Sequence, residues 1–343
     1  MEKIFSAFLV FSLMSSCMTS SLVIDVQRPA DINVSSDIQN IVIINRSRPS
    51  RDNLAGNIVE GLVSGEGLGD DRKGAEYCIE GLSNLLLNSD RYTLKNPGGM
   101  ELKGTGTGSF PAPLSWNEIV SICGSYDGHA ILALEVFDSD ATTSVGDAVT
   151  SIKKVKGVKV KQIRYPAVLT MDIESGWRIY DVQTKEIVDE NRFEEVKRFK
   201  AYGSSPDDAI RNLPSKRHAI KNSGLFAGRQ YGFRISPVWV KVRRTYFTGR
   251  SKDFKLAKSH VKNGEWEYAI EIWKNLVNHY DPKIARRSSY NMAVASEIKG
   301  SIDTAIEWAH QAHKLGEKKA SRYLNVLHIR KTNEEKLKQQ LNN

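Results

Sequence analysis

Apolar residues along the first 250 positions follow two different periods. The continuous apolar, β-branched run at Ile38–Ile44 predicts a buried strand, and a second buried strand is predicted from His129 to about Phe137. Val168–Val182 is predicted as a long strand. Helical spacing of apolar residues predicts a helix over Gly74–Leu87, and Ser115 with Glu118 forms a capping-box signal for a helix ending at Cys123. Strands and helices that alternate in this way predict a mixed sheet with helices packed on it.

Further strands and helices complete this first domain. Gln183–Lys185 separates two strand patterns and predicts a hairpin, and Trp239–Phe247 alternates apolar with basic residues, as expected of a strand with one wet face. Other patterns predict a short strand at Arg91–Leu94, a loop over Gly98–Pro113, and helices at Asp207–Asn212 and Ser215–Phe226.

The pattern changes after Gly249, where strand signals stop and helical spacing takes over. Small and glycine residues recur there at an offset of 36 positions. The five recurring pairs are Gly264 and Gly300, Ala269 and Ala305, Ile270 and Ile306, Glu271 and Glu307, and Ala257 and Ala293, and Trp273 is paired with Ala309 at the same offset. Each copy predicts a helix, a glycine turn and a second helix, which resembles the tetratricopeptide repeat of about 34 residues.

Two copies of such a repeat rarely bury a continuous core, and about three are usually needed. We therefore expect the array to dock on the first domain or on another chain, with Lys318–Leu341 as a capping helix. By repeat position, the concave, partner-binding face is predicted to hold Phe254, Lys258, Arg287, Tyr290 and Val294. The alternative is that these side chains only pack against the first domain.

The N-terminus carries a separate signal. Lys3 precedes an apolar run from Ile4 to Met14, then two serines and Cys17. The run is shorter than the roughly 20 residues of a membrane span and has the form of a secretory signal peptide. The cysteine after small residues resembles the lipobox of bacterial lipoproteins, which implies acyl chains on Cys17 and a membrane anchor. We thus predict a signal peptide over residues 1–16, a tether over 17–36, the α/β domain over 37–250 and the repeats over 251–343.

The net charge limits the classes of binding partner, and the cysteine content bears on disulfide formation. The formal charge is +9, and residues 251–343 hold 17 Lys and Arg against 11 Asp and Glu. A basic chain can bind nucleic acid, anionic lipid or acidic polymer, and export leaves the membrane surface as the simplest electrostatic partner. The favoured alternative is that the excess lysines form only a solvated surface. Cys78 and Cys123 lie in predicted helices, and two separate buried thiols are favoured over a disulfide.

Catalytic and metal-binding patterns are weak throughout the sequence. Glu135, Asp138 and Asp140 cluster at a strand end, but no second acid or base motif accompanies them. His310 and His313 have metal-ligand spacing without further ligands nearby. We therefore predict no catalytic residue, no metal and no cofactor. The basic segment Ser151–Arg164 predicts either a soluble hairpin turning at Lys156 and Gly157 or a flexible loop.

The chain resembles an uncharacterised family of bacterial envelope lipoproteins, in which a domain of unknown function precedes tetratricopeptide repeats. The resemblance covers nearly all of the mature chain and rests on LSWNEIVSIC, ALEVFDSD, WRIYDVQTKEIVDE, YGFRISPVWVKVRRTYF and AVASEIKGSIDTAIEWAHQA. The first domain is also similar, more generically, to the α/β domain of curli-export and cell-wall-synthase-activator lipoproteins.

This resemblance implies an architecture and an address, the outer membrane facing the periplasm, but no activity. Together with the residue patterns, it leads us to expect a lipid-anchored, non-enzymatic interaction module without nucleic-acid partners. Two alternatives stay open, a subunit of an envelope export or assembly complex and a periplasmic hydrolase.

Overall fold

The computed structural model describes residues 18–49, 70–89, 91–104, 110–155 and 158–342. The predicted signal peptide and the acylation site Cys17 lie outside these ranges. Among the described residues, no helix combines the length and apolarity needed to cross a membrane. The chain divides into a sheet unit, Pro29–Val238 with Gln340–Asn343, and a helical unit, Met1–Arg28 with Trp239–Gln339.

The predicted mixed α+β class, with helices alone after residue 250, is confirmed. The described strands are β1 (Thr19–Arg28), β2 (Asn40–Pro49), β3 (Thr93–Gly104), β4 (Ala130–Val145), β5 (Val149–Val155), β6 (Val158–Asp181), β7 (Glu186–Gly203) and β8 (Val238–Phe247). The described helices are α1 (Asp70–Leu87), α2 (Trp116–Tyr126), α3 (Pro206–Arg211), α4 (Lys216–Ile235), α5 (Lys252–Lys262), α6 (Trp266–Leu276), α7 (Pro282–Ile298), α8 (Ile302–Lys314) and α9 (Lys318–Asn342).

The sheet unit is built on the order β3-β2-β4-β6-β5, with β7 paired to β6. β2 runs parallel to β3 and β4, whereas β6 runs antiparallel to β4, β5 and β7. The strand β6 is 24 residues long, so its first part pairs with β5 and its second part lies between β4 and β7.

Helices cover both faces of this sheet, which explains the continuous apolar runs of β2 and β4. Ile41 and Ile43 face α1 and α4, while Val42 and Ile44 face α2. All four side chains are fully buried. A strand enclosed on both faces loses the polar alternation of a half-exposed strand.

Helices α1 and α4 approach each other closely through glycine. A Cβ atom added at Gly228 would lie 1.7 Å from the carbonyl oxygen of Cys78, and one at Gly224 would lie 2.5 Å from that of Gly74. Only glycine allows the two backbones this approach. The helix α4 runs to Ile235, beyond the predicted end at Phe226.

Several local predictions are confirmed in detail. Ser115 caps α2, and the Ser115 and Glu118 side chains both complete the capping box. Cys78 and Cys123 are free, separate and buried, and burial raises the pKa of the Cys123 thiol to about 11. The basic segment forms β5 and the start of β6, paired from Val149 with Arg164 to Val155 with Val158. The turn residues Lys156 and Gly157 lie outside the described ranges.

The helical unit consists of two helical hairpins, α5–α6 and α7–α8, followed by α9. Gly264 and Gly300, the two turn glycines, have φ angles of +80° and +77° and follow α5 and α7. At this left-handed conformation glycine carries no Cβ penalty. The recurring small residues Ala257, Ala269, Ala293, Ala305 and Ala309 are completely buried, as their predicted packing role requires.

Two strands complete the core of the helical unit. β8 contributes Tyr246 and Phe247 to the buried cluster of α5–α9, and Leu22 of β1 packs against the same cluster. The prediction of a tether over residues 17–36 is therefore wrong for Thr19–Arg28, which pair with β8 in a two-stranded sheet. The division at residue 250 also separates β8 from the helices with which it packs, because a strand pattern alone does not show which core receives its apolar face.

Candidate functional site

The predicted partner-binding face of the repeats is mostly inside the helical unit. Phe254, Tyr290 and Val294 are at most 5% exposed and belong to the buried cluster. Lys258 and Arg287 are only half-buried. The prediction of this face as an open partner surface is thus wrong for its three apolar members, because the chain's own strand β8 already covers it.

Phe247 of β8 makes the contact that covers the predicted face. The Phe247 ring meets the Tyr290 ring edge to face, with centroids 5.2 Å apart. The Arg287 guanidinium lies 5.0 Å from the Phe247 ring centroid, and the Lys319 ammonium lies 5.2 Å from it. Cations over an aromatic face are attracted by its quadrupole. The Phe247 ring therefore attracts the charged groups of both Arg287 and Lys319.

A buried glutamate stands beside this contact. Glu297, 2% exposed, accepts two hydrogen bonds of 2.7 Å from Arg244 and one of 2.6 Å from the Tyr323 hydroxyl. Arg330 lies 3.7 Å away and also pairs with Glu334 at 3.1 Å. Burial lowers the pKa of Arg244, but the hydrogen bonds to Glu297 outweigh it and raise that pKa above its usual range. Two arginines are therefore matched by two glutamates.

A groove of about 470 Å³ opens next to this network, between β8 and α9. It is lined by Arg243, Arg244, Thr245, Tyr290, Lys318, Lys319, Arg322, Tyr323 and Val326. Its volume falls within the range of ligand pockets. Five Lys and Arg side chains line the groove, and among the described residues only Arg244 forms an ion pair. The groove thus carries a surplus of positive charge.

Helix α9 adds to this surplus. It begins at Lys318, so Lys318, Lys319 and Arg322 stand in and just after its first turn, which holds no acidic residue. The N-terminus of a helix is itself electropositive, and cations there are unfavourable. Glu317, just before the helix, accepts a 3.3 Å hydrogen bond from the Lys319 amide and lies 3.7 Å from Arg286. The arrangement favours a negatively charged ligand.

The predicted carboxylate cluster in the sheet unit divides into two environments. Glu135 is fully buried and accepts hydrogen bonds from both Arg46 (2.8 and 3.0 Å) and the Tyr180 hydroxyl (2.7 Å). Arg178 lies 3.6 Å away and pairs with Glu190. Burial raises the pKa of Glu135, and Arg46 is the strongest of the groups that counteract it. Each charge of this network has a partner within the fold, so its role is structural.

Asp138 lies in a different setting. Burial and the neighbouring carboxylates of Asp71, Asp140 and Glu174 raise the pKa of Asp138 to about 7. A second groove, of about 580 Å³, passes this region between Asp140, Asp172 and Lys216. Within the described residues, no three or more His, Cys, Asp or Glu side chains, these carboxylates included, are arranged so that they could hold a metal ion. His310 and His313 are exposed, as predicted.

The basic groove was missed by the sequence analysis. Its two strand arginines lie in an alternating pattern that predicted only a wet face, and its lysines lie in a helix assigned as a cap. The one available signal is Glu297, a charged residue within the apolar and small-residue run of α7. A buried acid requires a cation or hydrogen-bond donor from elsewhere in the fold, and that requirement points to the arginine of β8.

The fold and groove together define a two-unit α+β protein with a basic groove in its helical unit, and two tyrosines are among the lining residues. The chain belongs to the family of a domain of unknown function (DUF8603), whose model matches residues 38–247. Residues 255–339 match a second domain of unknown function (DUF6340).

Other comparisons add little. No curated protein is similar enough to this chain to count as a match. Among solved structures, one from Helicobacter pylori, assigned as a neuraminyllactose-binding hemagglutinin homolog, is 10% identical with a TM-score of 0.21. It covers 68% of this chain and 93% of its own. A likeness of this size supports no argument about fold or ligand.

Proposed function

We propose that the protein is a lipid-anchored component of the bacterial cell envelope that binds a protein partner through its helical unit, without catalysing a reaction. Acyl chains on Cys17 hold it at a membrane, which we place at the outer membrane facing the periplasm. Tethering raises the local concentration of the binding surface for partners at the same membrane.

The surplus of cations in the basic groove is the observation that carries this proposal. Arg243, Lys318, Lys319 and Arg322 line a concave surface and have no ion-pair partner within the described residues. Unmatched charges of this kind in a groove are typical of a binding surface. In contrast, Glu135, the buried member of the candidate acids, is committed to Arg46 and Tyr180, which supports binding over hydrolysis.

The anchor part of the proposal is supported by the order of residues before Cys17. A positive charge, a short apolar run and two serines precede the cysteine, as in bacterial lipoproteins. One acyl chain alone gives only reversible membrane binding, so a stable anchor needs the several chains that a lipobox cysteine carries. The repeat resemblance supports the same reading, since helical repeats serve mainly as binding scaffolds.

Two measurements test the proposal. Metabolic labelling with a fatty-acid analogue is expected to mark the parent chain and not the Cys17→Ala variant. Crosslinking in intact cells, with a photoreactive residue in place of Val326 in the groove, is expected to give a discrete protein adduct. A photoreactive residue in place of Tyr280, which is exposed in the helical unit and does not line the groove, serves as the comparison position. An unlabelled parent chain, or the absence of any groove-specific adduct, would overturn the proposal.

A further inference from the structure

We propose that the free edge of β8 takes up an extended, acidic segment of the partner as a third strand, lying in the basic groove. This inference rests on the proposed function, that the helical unit binds a protein, and it specifies the chemistry and geometry of the bound segment.

The sheet formed by β1 and β8 has an open side. The Thr248 amide donates to the Met18 carbonyl at 2.7 Å, and Lys241 lies 3.9 Å from Asp25. Both contacts fit one antiparallel register between the two strands. Within the described residues, β8 pairs with no strand other than β1, so its opposite edge is open to a further strand.

Asn291 marks where this open edge begins. Its side-chain amide donates to the Phe247 carbonyl at 2.8 Å and accepts from the Phe247 amide at 2.7 Å, as a neighbouring strand would. Peptide groups of alternate residues in a strand point to the same side. The peptide groups of Thr245 and Arg243 therefore point, like those of Phe247, away from β1. The Arg243 carbonyl accepts a 3.3 Å hydrogen bond from the exposed side of the Arg244 guanidinium, and an added strand would have to replace that contact.

The open edge borders the groove. Arg243, Arg244 and Thr245 are consecutive, and all three line it. Because successive side chains of a strand point to opposite faces, three consecutive lining residues indicate that the strand meets the groove along its edge. A peptide in the groove can thus reach the main-chain donors and acceptors of β8, which is the geometry of β-strand addition.

Charge selects which peptide enters. Arg243 on one side and Lys318, Lys319 and Arg322 on the other form no ion pair with any described side chain. An added strand with acidic residues at alternate positions would present one row of carboxylates to α9. The hydrogen bonds to β8 supply affinity that is independent of sequence, and the carboxylates supply selectivity. A free phosphate or an anionic headgroup could use the same cations but not the strand edge.

Synthetic peptides test this inference on the full chain carrying Cys17→Ala, so that no acyl chain contributes. We expect a fluorescent octapeptide with Glu at alternate positions and Val or Thr between to bind, measured by anisotropy. Replacing each Glu by Lys should abolish binding. Methylating alternate backbone nitrogens, which removes donors but no charge, should weaken binding at least tenfold.

Matched protein variants locate the site. Lys318→Glu with Arg322→Glu should weaken binding of the acidic peptide at least tenfold and allow the lysine peptide to bind instead. Lys314→Glu with Lys338→Glu makes the same change in net charge at exposed positions outside the groove lining, and should leave binding within twofold of the parent. Equal weakening by both pairs would overturn the inference in favour of a general charge effect.

Other outcomes separate the remaining explanations. Equal binding of the methylated and unmodified acidic peptides would overturn strand addition. Strand addition would also be overturned if neither peptide bound, while vesicles containing anionic phospholipid bound the parent chain and not the groove variant. If neither the peptides nor the vesicles bound, the inference would be overturned, and the cations would instead serve to protect an exposed edge strand from aggregation. If the in-cell adduct at Val326 persists in the groove variant, the inference fails while the proposed function stands. If the parent chain is not labelled by the fatty-acid analogue but still binds the acidic peptide, the proposed function fails while this inference stands.

Discussion

The sheet unit and the helical unit each bury one glutamate in the same way, yet only one of the two networks lies beside an unbalanced groove. Glu135 and Glu297 each accept hydrogen bonds from an arginine and a tyrosine hydroxyl, and each has a second arginine within 4 Å.

The surroundings of the two networks differ. Around Glu135, Arg46 and Arg178 also donate to the carbonyls of Ala112 and Pro111, which closes the network. Around Glu297, the network adjoins the groove with its four unmatched cations. The same local motif therefore serves the fold in one unit and borders a binding surface in the other. The difference comes from neighbouring charges, and not from the glutamate itself.

The largest expected effect comes from removing either glutamate. Glu135→Ala and Glu297→Ala should each lower the free energy of unfolding by about 3–5 kcal/mol, because an arginine and a tyrosine hydroxyl remain buried without their acceptor. Hydrogen exchange should show the loss in β2, β4 and β6 for the first variant and in α7–α9 for the second.

A double variant tests whether the stability is lost because a charged group is left buried without its partner. Replacing both Arg244 by Met and Glu297 by Leu removes the charge and its partner together, and should restore most of the lost stability. If Glu297→Ala left the exchange of α7–α9 unchanged, the structural equivalence of the two networks would be wrong.

Glycines sharpen the comparison next. Gly228→Ala should destabilise the sheet unit by roughly 3 kcal/mol, since its Cβ would lie 1.7 Å from the Cys78 oxygen in a rigid helix pair. Gly300→Ala should destabilise the helical unit by only about 1 kcal/mol, because it meets open space and costs only the left-handed φ. Chemical denaturation measures both losses.

The asparagine variants provide the control. Asn tolerates the left-handed conformation better than Ala, so Gly300→Asn should recover part of the loss whereas Gly228→Asn should not. A larger loss for Gly300→Ala than for Gly228→Ala would contradict the assignment of one glycine to a turn and the other to close packing.

Asp138 introduces a pH dependence into the sheet unit. Its folded pKa of about 7 lies above the ordinary value of 3.8, so the folded state holds the proton more tightly than the unfolded state. Stability from this group is therefore present below about pH 4 and is lost as pH rises through 7. Because the side chain is partly exposed, we discount the shift to about 1 kcal/mol.

The Asp138→Asn variant tests this assignment by thermal unfolding across pH. It should be more stable than the parent by about 1 kcal/mol at pH 8 and by much less near pH 5. A constant difference at both pH values would show that titration of Asp138 is not the cause.

The smallest expected effect lies at the start of α9. Lys318→Glu replaces a cation by an anion in the first turn and should stabilise the helical unit by about 0.5 kcal/mol. Lys314 occupies the last turn of α8, so Lys314→Glu should destabilise it by a similar amount. Opposite signs in thermal unfolding would identify the helix dipole as the cause, and equal signs would exclude it.

Local chemistry allowed much of the architecture to be predicted. The capping box at Ser115, the turn glycines Gly264 and Gly300, and the buried alanines at 36-residue spacing each act within a few residues or by a repeated period. Such signals survive in a single sequence because the same local requirement is met wherever the motif occurs. The position of β8 was not predictable in this way, since its alternating pattern fits either core equally well.

The sequence by itself determined most of the element types, the mixed sheet followed by helices, the separate buried thiols and the excess of positive charge. Only the tertiary structure decided that β8 covers the predicted repeat face, that β1 replaces a tether, and that Arg243 meets the lysines of α9 across a groove. The physical reason is range. Periodicity and capping are set by neighbours along the chain, whereas the contact of Tyr290 with Phe247 and the pairing of Glu297 with Arg244 join residues 43 and 53 positions apart.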